Sequence, residues 1–209
     1  MRNIIMDFDS CIMEKLLKKT FQQDLVIHIS LKLANIAQLK GELEKSMLGF
    51  NWTMQKIEER AVVDPNDVEL KELYGLAKYW FGQLLMKNNS YEAARAHLKS
   101  AYEFFIEIHG LESAESITIL NDLSVACEKL ERLDESKGYI LTAIKLAKKA
   151  GDSQQEGILL ANLGLIQLKQ GLLDEAKRQC SEAWRLGKKL KDNSTIKQAE
   201  YCLDQLKTK

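Results

Sequence analysis

Four stretches of this chain repeat one spacing of small and large residues, and that spacing restricts the fold more than any other feature. LANIAQLKGELEKSMLGFNWT begins at Leu33, FGQLLMKNNSYEAARAHLKSA at Phe81, LSVACEKLERLDESKGYILTA at Leu123 and LGLIQLKQGLLDEAKRQCSEA at Leu163; they align over 21 residues without a gap. In each, a large apolar residue precedes a small one: Ala34, Gly82, Ser124 or Gly164. Twelve residues later stands a second small residue: Ser46, Ala94, Ser136 or Ala176. A polar corner lies between, and a large residue follows at Phe50, Leu98 and Ile140, with Cys180 in the fourth copy. Small residues at such points let antiparallel helices approach closely, because a larger side chain would hold the backbones apart. One proline and 11 glycines in 209 residues leave little material for the many tight turns of a β-sandwich. Long helices joined by short corners are the economical solution.

This register is that of tetratricopeptide helix-turn-helix units, and four copies together carry it. The fold expected is all-α: a superhelix of antiparallel helix pairs closed by a C-terminal capping helix. The first small residues are 48, 42 and 40 positions apart. The usual unit is about 34 residues, so each helix gains roughly one turn. Helices are expected near 3–20, 24–40, 43–61, 67–88, 91–109, 113–130, 133–150, 153–170, 173–191 and 194–206. They group into repeats at 24–62, 67–109, 113–150 and 153–191, with a cap over 193–209. Asn66 with Glu69 and Ser153 with Glu156 read as capping pairs, and Ser90 as an N-cap. Residues 1–20 carry Ile4, Ile5, Phe8, Ile12, Leu16 and Leu17 at helical spacing. They read as the orphan helix of a truncated preceding repeat, and that face predicts self-association through the N-terminus.

Thirty basic and 30 acidic side chains balance, so the chain lacks the bulk basic field that nucleic acid asks for. Cys11, Cys127, Cys180 and Cys202 show no C-x-x-C spacing and are expected as isolated reduced thiols. No apolar run approaches the roughly 20 residues of a membrane span. Asp7, Asp9 and Glu14 near the start suit neither a signal peptide nor a transit peptide. The chain therefore reads as a mature or truncated soluble protein. His28, His97 and His109 lie on different helices or helix ends, and no nucleophile, base and orienting group fall together. A non-enzyme without metal or cofactor is the reading.

Stacked repeats present a concave face lined by the first helix of each pair. The packing register aims His28, Leu31 and Asn35 at it from the first repeat, and Leu76, Tyr79, Gln83 and Met86 from the second. Asn121 and Val125 follow from the third, with Ile158 and Leu165 from the fourth. Apolar side chains mixed with amides suit a helix or an extended peptide. Repeats that clamp a terminal carboxylate use Lys and Arg on these helices, and only Lys32 would serve here.

The strings ISLKLANIA from Ile29, YEAARAHLKSAYEF from Tyr91, SITILNDLSVA from Ser116, ANLGLIQLKQGLLDEAK from Ala161 and the closing EAWRLGKKLKD resemble the tetratricopeptide repeat protein 19 family. The resemblance covers about residues 24–206. It implies a mitochondrial inner-membrane factor that binds respiratory complex III and helps clear fragments of its Rieske iron-sulfur subunit. It brings no catalytic residues. The long-repeat arrays of kinesin light chains are also similar, around Asn121 and Asn162, which makes a cytosolic cargo adaptor the alternative. A cytokinesis accessory is a third reading.

Overall fold

The computed structural model describes residues 22–207. Among them are nine helices and no strand. A first helix, α1, runs over 22–39. It is followed by α2 (Leu43–Ala61), α3 (Val68–Lys87), α4 (Tyr91–His109), α5 (Ala114–Lys129), α6 (Leu133–Ala150), α7 (Ser153–Lys169), α8 (Leu173–Leu190) and α9 (Asn193–Lys207). The expected helix at 3–20 and its apolar stripe lie outside the described residues. The chain divides inside α3 into two compact units, one up to Ala77 and one from Lys78.

In the first unit α1 and α2 form a close antiparallel pair. Ser46 Oγ donates to the Ala34 carbonyl at 2.9 Å, and a Cβ added at Gly49 would lie 2.8 Å from that of Ala34. Leu31, Phe50 and Ile57 are fully buried in the core of this unit. At the far end of the pair Arg60 Nε donates to Asp24 Oδ1 at 3.2 Å.

The second unit repeats the same contact three times. A Cβ at Gly82 would meet the Leu98 side chain at 2.9 Å. Ser124 and Ser136 each donate to the other's carbonyl, at 3.0 and 2.8 Å. At Gly164 a Cβ would come within 3.2 Å of the Ala176 carbonyl. In three of the four copies the spacing of twelve is thus the distance, through the corner, between two residues that touch. α5 packs on α6 and α7 on α8, and α9 packs on both α7 and α8. Ile117, Leu120, Ile140, Ile144, Leu159 and Leu163 form the centre of a continuous core.

The corners are built alike. Gly41, Asn89, Glu131 and Gly171 hold φ between 57° and 79°, and they occupy the same place in the four aligned segments. The next residue closes each helix with a backbone bond to the carbonyl five residues earlier, at 2.9 Å in all four: Glu42 to Ala37, Ser90 to Leu85, Arg132 to Cys127 and Leu172 to Gln167. Two of the expected caps are corrected. Asp67 rather than Asn66 accepts from the Leu70 amide, and Asp152 rather than Ser153 accepts from the Gln155 amide. Ser90 sits at the N-cap without a side-chain bond.

Candidate functional site

In the second unit, Tyr79, Gln83 and Met86 of α3 stand at intervals of four and three, so they share a helix face. Asn121 and Val125 do so on α5, Asn162, Leu165 and Lys169 on α7, and Gln198, Tyr201 and Gln205 on α9. A ladder of side-chain hydrogen bonds crosses these faces. Gln83 Nε2 donates to the Tyr79 hydroxyl at 2.7 Å and to Asp122 Oδ2 at 3.2 Å. Asn162 Nδ2 donates to Asn121 Oδ1 at 2.7 Å, and Gln198 Nε2 donates to Asn162 Oδ1 at 2.9 Å. Three of these bonds join separate helices: α3 to α5, α5 to α7 and α7 to α9.

Asp122 is the only formal charge in the ladder. Burial pushes its carboxyl above the ordinary range, against hydrogen bonds from Gln83, Tyr79 and Asn121 that hold it down. Burial and the neighbouring Asp122 raise the Tyr79 phenol. Beside the ladder, a cleft of about 460 Å³ opens between α5, α7 and α9. Val125 and Leu165 line it together with Asn162, Gln198, Tyr201 and Gln205. At its edge Glu128 pairs with Lys169 at 2.5 Å and with Lys129 at 3.5 Å. An apolar floor with amide walls can take an extended chain, whose backbone offers both donors and acceptors.

The expected groove residues divide accordingly. Tyr79, Gln83 and Asn121 are joined through the ladder, and Val125 and Leu165 through the cleft. Met86 and Ile158 are half-buried on the same helices, outside the lining of the cleft. His28, Asn35 and Leu76 are half-buried in the first unit, where His28 Nε2 lies 3.1 Å from Glu69 Oε1. Leu31 is corrected: at 1% exposed it fills the core of that unit and can line no groove. Gln198, Tyr201 and Gln205 were absent from the expectation because α9 read only as a cap. Their intervals of three and four match those of Asn162, Leu165 and Lys169, and that match was the available signal.

The first unit offers a different surface. Val26, Ile29, Leu33 and Ile36 form an exposed apolar stripe on α1. Two clefts, of about 610 and 510 Å³, meet at Trp52, one beside Val26 and Val63 and the other beside Leu33 and Ile36.

Among the described residues no three His, Cys, Asp or Glu side chains are grouped to hold a metal. His97 stands edge-on to Phe81, with burial lowering its pKa. The thiols correct the sequence reading at two positions: Cys180 and Cys202 form a disulfide, with Cα atoms 5.9 Å apart. Cys127 is free and buried, and burial with the nearby Glu135 pushes its thiol up to about 11. Cys11 lies outside the described residues.

Paired helices, small residues at every crossing and a left-handed residue at each equivalent corner define a tetratricopeptide-repeat protein. Solved structures share that fold: BtubC from P. vanneervenii (TM-score 0.66, 15% identity, 92% of this chain and 90% of that one) and apo RapI (0.68, 13%, 79% and 57%). A putative kinesin light chain from Podospora anserina has TM-score 0.63 and 11% identity over 87% of this chain and 93% of its own. The sequence is homologous to the mitochondrial tetratricopeptide repeat protein 19. It is 45% identical to the Drosophila melanogaster homologue over 88% of this chain and 50% of that protein. Identity to the Homo sapiens protein is 24%, over 90% of this chain and 52% of the relative. The chain thus spans about half the length of these relatives. No family model matches it. Among the described residues no helix is long and apolar enough to cross a membrane.

Proposed function

We propose that this chain is a non-catalytic scaffold whose face on α3, α5, α7 and α9 holds a segment of a mitochondrial respiratory complex III subunit. The supporting observation is the amide ladder beside an apolar cleft, a surface that satisfies a peptide backbone and accepts apolar side chains. Kinship to tetratricopeptide repeat protein 19 supports the mitochondrial setting. The choice of complex III, the attachment to the inner membrane and the clearing of Rieske fragments follow from that resemblance. Tyr79 is the anchor we assign, since buried aromatics dominate interfaces and often cost about 2 kcal/mol or more on truncation. A variant carrying Tyr79→Ala and Asn121→Ala should keep its helical circular dichroism and lose co-purification with complex III. Retention at wild-type levels would place the contact elsewhere on the chain.

A further inference from the structure

The sulfurs of Cys180 on α8 and Cys202 on α9 meet directly above Gly164 of α7. A Cβ at residue 164 would lie 2.4 Å from one Sγ and 2.9 Å from the other, so the pair fits because that position is glycine. The Cα separation of 5.9 Å falls within the range a disulfide spans. Both residues are fully buried. Cys202 is the neighbour of Tyr201 and stands four residues after Gln198, both of which wall the cleft. One helix therefore carries the crosslink on its inner side and a wall of the cleft beside it. Apart from Cys202, the only fully buried side chains of α9 are Thr195 and Ala199. A terminal helix with so small an apolar anchor belongs to the low-stability end of a fold.

We propose that the Cys180–Cys202 disulfide is a reversible redox latch that fixes α9, and with it the α9 wall of the cleft. Opening consumes a dithiol. One of its thiolates attacks a cysteine sulfur, the S–S bond breaks and a mixed disulfide forms. The second thiolate then displaces the remaining cysteine. The dithiol leaves as a disulfide, and Cys180 and Cys202 take up two electrons and two protons to become thiols. Oxidised glutathione, a small disulfide, closes the latch by two successive exchanges. One cysteine thiolate displaces a glutathione thiol to form a mixed disulfide, and the second cysteine displaces the other glutathione thiol. Because both sulfurs are buried, the reductant acts only when α9 opens locally, so reduction is slow. Cys127 does not compete, being buried with a thiol that stays protonated. The consequence for binding rests on the proposed function; the latch itself does not.

The test uses the full chain, treated either with oxidised glutathione or with dithiothreitol. Alkylation in denaturant followed by peptide mass analysis should find Cys180 and Cys202 linked in the oxidised sample and both alkylated in the reduced one. Amide hydrogen exchange should be faster in α9 after reduction, on the order of 10- to 100-fold, with α5 and α6 unchanged. The pair of substitutions Cys180→Ser and Cys202→Ser should show the fast α9 exchange under both conditions. Should that variant fold poorly, the reduced wild-type chain supplies the same comparison. Two thiols that stay unlinked with oxidised glutathione, or α9 exchange that ignores the redox state, would overturn the latch. A latch that works while complex III binds in neither state leaves the latch standing and removes the proposed function instead.

Discussion

Leu33 and Leu163 occupy the same place in the repeat, yet Leu33 is 58% exposed and Leu163 is 3% exposed. Phe81 and Leu123, the other two equivalents, are buried as well. The small residue that follows is buried in every copy. Two different requirements are therefore superimposed in one motif. The small residue serves the crossing inside a helix pair, and each pair needs it whatever lies beside it. The large residue serves packing between neighbouring elements. On α7 that packing is supplied by α8 and α9, which close on Gly157 and Gly164 so tightly that a Cβ at either would fall within 3.0 Å of Thr195 or the cysteine sulfurs. On α1 the side bearing Leu33 is open among the described residues.

The largest expected effect comes from the buried member of that comparison. Leu163→Ala should cost about 2–5 kcal/mol of stability by leaving a cavity, whereas Leu33→Ala should change it by less than about 0.5 kcal/mol. Urea titrations of the two variants give the contrast directly. A loss of several kcal/mol at Leu33 would mean that something covers the α1 stripe. Gly82→Leu ranks next, because Leu98 beside it is fully buried and has nowhere to move. Overpacking there should cost roughly 1–3 kcal/mol or more, read as a lower melting temperature. An unchanged melting temperature would mean that α3 and α4 do not cross at that point.

The corners supply a smaller effect of opposite sign. Glu131 sits at φ 58°, where two of its equivalents, Gly41 and Gly171, are glycine. Glu131→Gly should stabilise the chain by about 1 kcal/mol by removing a side chain from the left-handed region. Its exposed contact with Lys169 at 3.4 Å offsets little.

Asp122 gives the finest probe. Its folded pKa lies above the unfolded one, so the folded state binds the proton more tightly, and ionising the group costs stability as pH rises. Asp122→Asn should therefore melt higher than wild type at neutral pH, and the gap should close as pH falls through the carboxylate range. His97, whose pKa is lowered, loses stability as pH falls, and it does so in both proteins, so the difference isolates Asp122. A gap independent of pH would mean that Asp122 is solvated.

The repeat was readable in the sequence because sterics leave few residue types for a close crossing, and Ala34, Gly82, Ser124 and Gly164 state that limit plainly. The helix limits followed from the same register. What escaped reading depends on choices that sequence leaves nearly equal. Asp67 and Asp152 cap where Asn66 and Ser153 were expected, since adjacent polar residues compete for one amide. Glu131 takes a left-handed conformation that its residue type does not announce. The sequence separation of 22 between Cys180 and Cys202 gave no sign of a pair, because the turn between α8 and α9 alone brings them together. On the face proposed for binding, the register pointed to Tyr79, Gln83, Asn121, Val125 and Leu165, which meet through the ladder or the cleft. It misplaced Leu31 by helix phase, and it missed α9 because amides on a terminal helix read as a solvated cap.

Site-specific photocrosslinking compares the two regions most directly. A photoreactive residue at Tyr201, on the wall of the cleft, and another at Leu48, exposed on α2, sample one surface from each unit. With the full chain incubated with detergent-solubilised mitochondrial complex III, residue 201 should crosslink to a complex III subunit and residue 48 should not. Crosslinks from residue 48 with none from residue 201 would contradict the assignment of the α3, α5, α7 and α9 face as the binding surface.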